Sequence, residues 1–275
     1  MIFVKNIGWL GNQMFCYAFA YAAARRLGVT FCHNHLQELA CFELHGRNRF
    51  NNALQKLPFK FWKVMGRTPV QDWGSNETPP QLILDRVRDW TIYRGFFQSE
   101  DFFADYREEI RAAFTPRPFY RDEFRKLHGP LLASGKPLLV IHVRGGDYAD
   151  WLFPKENVTD IRLPRLFFER ALAGIPDWRN HTPVVVTDDP AYAASVVPGE
   201  LNAPIVRKTQ MADFQLLMAA DTLVISNSSF AWWGAWLNPK PHKRIFAAKD
   251  WLGFKLGREV PARITTPDWN WISAV

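Results

Sequence analysis

The 275-residue sequence predicts an α/β protein built on parallel sheets. Three observations carry that prediction. Short, β-branched and nearly continuously apolar runs recur as PLLVIHV (Pro137 to Val143), TPVVVTD (Thr182 to Asp188) and DTLVIS (Asp221 to Ser226). Apolarity on both faces suits strands covered by helices on either side. Helix-like segments lie between these runs: LPRLFFERAL, Ala191 to Val196, and Met211 to Ala220. Each run also ends in turn-forming or hydrogen-bonding residues, as alternating strands and helices require.

The elements follow in order. IFVKNI (Ile2 to Ile7) predicts a strand, and GWLGNQ leads into a helix reaching Leu27. Asn12 is a candidate cap for that helix, and Gly28 stands where a C-terminal glycine belongs. From Cys32 to Pro80 the chain is irregular, punctuated by Pro, Asn and Trp. FFQSEDFFADYREEIRAAF (Phe96 to Phe114) predicts an amphipathic helix from about Ser99, with Glu100 and Asp101 in its first turn. A domain boundary is expected in the stretch from Thr115 to Pro137, dividing the chain into residues 1–135 and 136–275. KRIFAA (Lys243 to Ala248) predicts a further, weaker strand.

Composition narrows the function classes. A hydrophobic content of 48% without charge blocks marks a globular chain. Met14 to Ala24, the longest apolar stretch, falls short of the roughly 18 residues of a membrane span. The N-terminus lacks the features of a signal peptide, so a cytoplasmic location is expected. Cys16, Cys32 and Cys41 are an odd set, which argues against a disulfide framework. The cluster CHNH with Cys41 and His45 has metal-ligand residue types without a paired-finger spacing, and reads as a surface loop with a buried thiol. The net charge of +7 suits an anionic partner: nucleic acid, a nucleotide diphosphate, or the cytoplasmic membrane face by peripheral association. Its scatter along the chain disfavours nucleic acid.

In open parallel sheets, ligands bind beyond the carboxyl ends of the strands, and here those ends are polar. After Val143 comes RGGDY. Gly145 and Gly146 permit backbone N–H groups to turn inward as an anion nest, and Arg144 offers a planar fork to phosphate oxygens. An isolated RGGD would more simply be a glycine turn with an exposed arginine and a capping aspartate. SNSSFAWWGAWL (Ser226 to Leu237) opens a helix whose free N–H groups suit a phosphate, so Asn227, Ser228, Ser229 and Phe230 are candidate ligand contacts. Trp232, Trp233 and Trp236 read as core. Asp188 and Asp189, before Pro190, can cap a helix or meet ribose hydroxyls. Asp213 can favour a helix dipole or accept from guanine donors. GWLGNQ lacks the dinucleotide spacing, yet Gly11 allows close approach and Asn12 and Gln13 offer amides to sugar hydroxyls. The sequence has no Asp-x-Asp triplet to hold a divalent cation, so no metal is expected and positive charge with N–H dipoles must neutralise a leaving diphosphate.

Five segments in register, GWLGNQMFCYAFA, GFFQSEDFF, VIHVRGGDY, VVVTDDP and DFQLLMAADTLVISNSSFAWWGAWLNP, closely resemble the bacterial α-1,2-fucosyltransferase family. The likeness to the α-1,6- and protein O-fucosyltransferases is more distant. The resemblance implies a GT-B fold of two Rossmann-like domains with a cleft between them. It further implies a metal-independent, inverting transfer of fucose from GDP-β-L-fucose to the 2-hydroxyl of a β-galactoside, with a galactose-terminated glycan as acceptor. Carried over by position, His142 and Arg144 lie near the nucleotide, and Ser228, Ser229 and Phe230 line the diphosphate pocket. Asp213 falls where guanine is recognised, and Gly11, Asn12 and Gln13 face the sugar. One departure stands out: Gly145 replaces the family's usual second arginine. The glycine nest, a different donor, or an impaired enzyme would each account for it, and the nest ranks first. Asp147 is the first candidate for a general base, with Asp150, Glu156 and His142 as alternatives.

Overall fold

The computed structural model describes residues 1–33, 38–44, 61–62, 70–72, 77–153 and 156–275, with backbone only for 70–72 and 152. The chain forms two compact units. Met1–Arg117 with Pro261–Ile264 makes the first, and Pro118–Val260 with Thr265–Val275 the second.

The first unit runs β1 (Ile2–Lys5), α1 (Leu10–Leu27), β2 (Phe31–His33), β3 (Val70–Asp72), α2 (Pro80–Leu84), β4 (Thr91–Arg94) and α3 (Arg107–Ala113). Its sheet is parallel, in the order β2-β1-β4-β3. From β1 the chain steps to β2 on one side, then builds β3 and β4 on the other. The carboxyl ends of β1 and β4 therefore flank a topological switch point. Helix α1 is buried along most of its length because its aromatic residues are met by others. Phe19 stacks on Phe97 at 3.9 Å and meets Tyr93 and Phe102 edge-on.

Two local expectations are corrected here. Helix α1 does end at Gly28, with φ 65°, but its N-cap is Trp9, without a side-chain cap bond. Asn12 lies in the first turn, and its Oδ1 accepts from Gln98 Nε2 at 2.6 Å. The predicted helix from Ser99 to Phe114 is broken into two 3-10 turns, Glu100–Phe102 and Ala104–Tyr106, before α3. Ser99 nevertheless caps the first turn by accepting from the Asp101 N–H. Packing explains the break. Phe102 and Phe103 are adjacent yet both buried, one against Phe19 and the other against Phe15, four residues apart on α1. A continuous α-helix would turn neighbouring side chains about 100° apart.

The second unit runs α4 (Pro118–Leu132), β5 (Leu138–Val143), β6 (Leu152–Phe153), β7 (Val158–Thr159), α5 (Arg165–Ala173) and β8 (Thr182–Thr187). It continues through α6 (Pro190–Val196), β9 (Ile205–Val206), α7 (Gln210–Ala219), β10 (Thr222–Ile225), α8 (Ser229–Leu237), β11 (Arg244–Ala248) and β12 (Asn270–Ile272). Six parallel strands lie in the order β12-β11-β10-β5-β8-β9, while β6 and β7 form a small antiparallel pair. The expected apolar runs supply β5, β8, β10 and β11. From β5 the chain travels outward through β8 to β9, then returns to place β10 on the opposite side of β5. This unit's switch point therefore lies between β5 and β10.

The division falls at Arg117, inside the expected stretch from Thr115 to Pro137 but short of residue 135. Helix α4 belongs to the second unit because it is tied to α7: Gln215 Nε2 donates to Tyr120 O at 2.8 Å, and the Thr209 hydroxyl donates to Glu123 Oε2 at 3.0 Å. Trp232, Trp233 and Trp236 are core, packed on one another, with Trp232 also against Trp269. No helix among the described residues is long and apolar enough to cross a membrane. Of the cysteine and histidine cluster, Cys32 and Cys41 are buried, and His33 Nδ1 bonds Asn6 Nδ2 at 3.2 Å. Asn34, His35 and His45 lie outside the described residues.

Candidate active site

At the switch point of the second unit, Ile225 of β10 pairs with His142 of β5. The next residue, Ser226, joins the two strand ends. Its Oγ accepts from the Arg144 N–H at 3.1 Å and lies 2.8 Å from His142 Nδ1. The two groups share one hydrogen bond, whose donor is set by the imidazole tautomer. Burial, reinforced by Arg144, pushes the His142 pKa down to about 3, so the ring is neutral at physiological pH. Nothing in the sequence beyond its strand-end position distinguishes Ser226.

The Arg144 guanidinium is held by two carboxylates. Nη1 lies 2.8 Å from Asp188 Oδ2 and Nη2 2.6 Å from Asp147 Oδ1. The group also sits over the Tyr148 ring at 5.2 Å, and the Tyr148 hydroxyl donates to Asn227 O at 3.2 Å. Asp147 thus pairs with Arg144, where an isolated RGGD turn would have it as a cap. One donor of the expected glycine nest is taken. The Gly145 N–H donates to Asp188 Oδ1 at 2.9 Å, so this donor is already engaged by the neighbouring strand end.

The same aspartates explain why two glycines stand here. A Cβ on Gly145 would collide with Asp189 Cβ and come within 2.8 Å of Asp189 Oδ2. One on Gly146, whose φ is +32°, would collide with Asp188 Oδ2. Asp189 itself caps α6: its Oδ1 accepts from the Tyr192 N–H at 3.0 Å, with Pro190 opening the helix. The capping alternative read from the sequence is therefore realised by Asp189. Asp188 is the carboxylate that reaches Arg144.

Across the switch point, Ser228 caps α8 without a side-chain bond, and the helical ladder begins with Trp232 N–H donating to Ser228 O. The first-turn amides of α8 consequently have no partner within the helix. No acidic residue occupies that turn. Asn227 is fully buried: its Nδ2 donates to Ile161 O at 2.9 Å, fastening the turn before α8 to the segment after β7, while its Oδ1 has no hydrogen-bond partner among the described residues. Phe230 packs between Phe214 and His142, at 5.2 and 5.9 Å between ring centroids. Asp213 is buried in the first turn of α7, where its two oxygens lie 3.1 and 3.3 Å from the Lys208 N–H. Burial raises its pKa to about 6, against the lowering effect of that N–H. Of the remaining candidate bases, Asp150 is exposed and Glu156 pairs with Arg258 at 3.0 Å.

Gly11, Asn12 and Gln13 belong to the first unit, in the opening turn of α1. Gly11 is buried, and the Gln13 side-chain amide donates to Gly8 O at 3.0 Å. Among the described residues, no group of three His, Cys, Asp or Glu side chains is arranged to hold a metal ion.

The family model described as Glycosyl transferase family 11 matches residues 1–272. Alpha-1,2-colitosyltransferase of Escherichia coli is 25% identical over 263 residues, covering 86% of this chain and 87% of that protein. Galactoside alpha-(1,2)-fucosyltransferase 2 of Gorilla gorilla gorilla is 25% identical over 261 residues, covering 85% of this chain and 68% of that one. Among solved structures, the NodZ alpha-1,6-fucosyltransferase soaked with GDP-fucose aligns with a TM-score of 0.50 and 17% identity, covering 88% of this chain and 93% of that one. These matches bear out the resemblance read from the five motifs, and the fold is α/β of GT-B type.

Proposed function

The chain belongs to glycosyl transferase family 11, and from that premise we propose that it transfers L-fucose from GDP-β-L-fucose to the 2-hydroxyl of a β-galactoside, inverting the anomeric centre and using no metal. The observation that carries the reading is the switch point of the second unit. There a guanidinium and an uncapped, acid-free helix start lie at the ends of adjacent strands joined through Ser226. A diphosphate is the ligand such a pair suits, because both elements stabilise charge on the same group. The activities for which the relatives are named support an α-1,2 linkage, and the GDP-fucose soaked into the NodZ crystals supports a GDP-sugar donor.

The chemistry follows from those groups. In an in-line displacement, positive charge grows on the sugar ring while negative charge grows on departing GDP. Arg144 and the α8 amides act on that second charge, which is larger in the transition state than in the bound donor. Arg144 reaches the phosphate by exchanging a contact with Asp147 or Asp188. Release of Asp147 would leave a carboxylate beside the diphosphate site to take the acceptor's proton. His142, with its lowered pKa, is a poor base and serves instead to fix Ser226. Asp213 offers its remaining acceptor capacity to guanine, and Asp188 or Asp189 to ribose. The acceptor is a galactose-terminated glycan, and the reaction belongs on the cytoplasmic side of the membrane.

The test is a panel of GDP-sugars and one UDP-sugar against β-galactosides, with and without chelator, reading released nucleotide and product linkage. GDP-fucose-dependent α-1,2 product that survives chelator is expected. Strict metal dependence or preference for the UDP donor would remove this reading. Arg144→Ala should abolish turnover with an unchanged circular dichroism spectrum, and near-wild-type activity in it would contradict the assignment. A second donor is favoured by one observation. The E. coli relative is named for colitosyl transfer, and Gly145 leaves this site one arginine short of the fucosyltransferase pattern. GDP-colitose therefore belongs in the panel.

A further inference from the structure

Two requirements on Arg144 conflict. To meet a diphosphate, its guanidinium must present N–H donors to phosphate oxygens, yet Nη1 and Nη2 are held by Asp188 and Asp147. Exchanging a carboxylate for a phosphate frees a donor and also removes part of what fixes the group. A long, rotamer-rich side chain without a second support loses the fixed geometry on which charge stabilisation depends. That support has to hold the cation while occupying none of its N–H groups. An aromatic face does so, because it attracts the charge and needs no donor.

Such a face is present. The Arg144 guanidinium carbon lies 5.2 Å from the centre of the Tyr148 ring. Tyr148 is itself fixed: its N–H donates to Gly145 O at 3.0 Å, and its O accepts from the Ile161 N–H at 3.0 Å. Trp151 packs against the ring at 5.8 Å between centroids. The far end of the side chain reaches the other half of the site, where the hydroxyl donates to Asn227 O at 3.2 Å. The N–H of that same peptide group, on Ser228, donates to Ser226 O at 2.7 Å. The Asn227–Ser228 peptide is thus held at both edges, immediately before the first turn of α8. Desolvation raises the pKa of the phenol, so the hydroxyl remains a donor.

We propose that Tyr148 is a positioning residue for the diphosphate: its ring holds the Arg144 guanidinium while a carboxylate is exchanged for phosphate, and its hydroxyl fixes the peptide that aims the first turn of α8. One side chain therefore ties the guanidinium after β5 to the helix start after β10. The two contacts are separable, because phenylalanine would keep the ring and lose the hydroxyl, whereas leucine would lose both. The inference rests on the reading of this strand-end site as the one that takes the diphosphate of a GDP-sugar.

The test measures Kd for GDP by calorimetry in wild type, Tyr148→Phe and Tyr148→Leu, each with Arg144 intact and with Arg144→Ala. Steady-state rates are read in the set that keeps Arg144. Loss of the hydroxyl bond should weaken GDP binding about five-fold in Tyr148→Phe, in both backgrounds. Relative to Tyr148→Phe, Tyr148→Leu should weaken it about another five-fold where Arg144 is present, and by less than about two-fold in Arg144→Ala. Turnover with GDP-fucose should fall at least as far, while KM for the β-galactoside acceptor stays within about two-fold of wild type, because the lost contacts act on the diphosphate. Equal losses from ring removal in both backgrounds would mean that Tyr148 serves only the fold, and would overturn the proposal. Wild-type GDP affinity and turnover in Tyr148→Phe would overturn it too, and that isosteric variant stays decisive if Tyr148→Leu folds poorly. Absence of GDP binding to the wild type would instead overturn the function proposed above.

Discussion

Gly145 shows how a single position acquires its identity from a neighbour on another strand. By sequence it is an arginine missing from a family pattern. In the structure it is the only side-chain type that leaves room for Asp189 Cβ while letting its N–H reach Asp188. Gly145→Arg should therefore lose turnover instead of gaining it. The smaller change tests the cause: Gly145→Ala should destabilise the protein by about 1–3 kcal/mol, the usual consequence of overpacking. Asp189→Gly alone should be milder, because glycine is a tolerable N-cap. Combined, the two changes should recover most of the loss, a coupling readable in urea unfolding. Additive effects would mean that Asp189 is not what excludes a side chain at 145.

At the scale of elements, the strands were legible because burial on both faces writes itself as unbroken apolarity, and β5, β8, β10 and β11 fall where that pattern places them. The capping of α6 by Asp189 with Pro190 was legible for a similar local reason. Asn12, Asn227 and the stretch from Ser99 to Phe114 were not. Their conformations are set by partners far along the chain: Gln98 for Asn12, Ile161 for Asn227, and the aromatic face of α1 for Phe102 and Phe103. The start of α8 supplies a test that separates helix stability from ligand binding. An acid in a first turn favours the helix dipole by about 0.3–1 kcal/mol. Ser229→Asp should thus preserve or raise the melting temperature, while its charge repels a diphosphate and weakens GDP binding at least about ten-fold. Undiminished GDP affinity in that variant would move the diphosphate away from α8.

For the molecule as a whole, two of the buried titratable groups of the second unit, His142 and Asp213, set opposing pH dependences. His142 has its pKa lowered from 6.5 to about 3, so between those values the unfolded chain binds more protons than the folded one. Stability from this residue therefore rises with pH through that window. Asp213 has its pKa raised from 3.8 to about 6, so across that interval the folded chain binds more protons, and its contribution falls as pH rises. The slopes are each at most about 1.4 kcal/mol per pH unit and opposite in sign, so they offset one another between roughly pH 4 and 6. Removing either partner should expose the other. Relative to wild type, Asp213→Asn should steepen the gain in stability from pH 4.5 to 6, while His142→Gln should reverse or flatten it, both in nucleotide-free protein followed by urea midpoint. Parallel pH profiles for the three proteins would show that neither group is perturbed by the packing at the β5–β10 switch point. A steepened profile in Asp213→Asn alone would locate the perturbed group at Asp213, and a flattened one in His142→Gln alone would locate it at His142, the residue that fixes Ser226 and, through it, the backbone of Arg144.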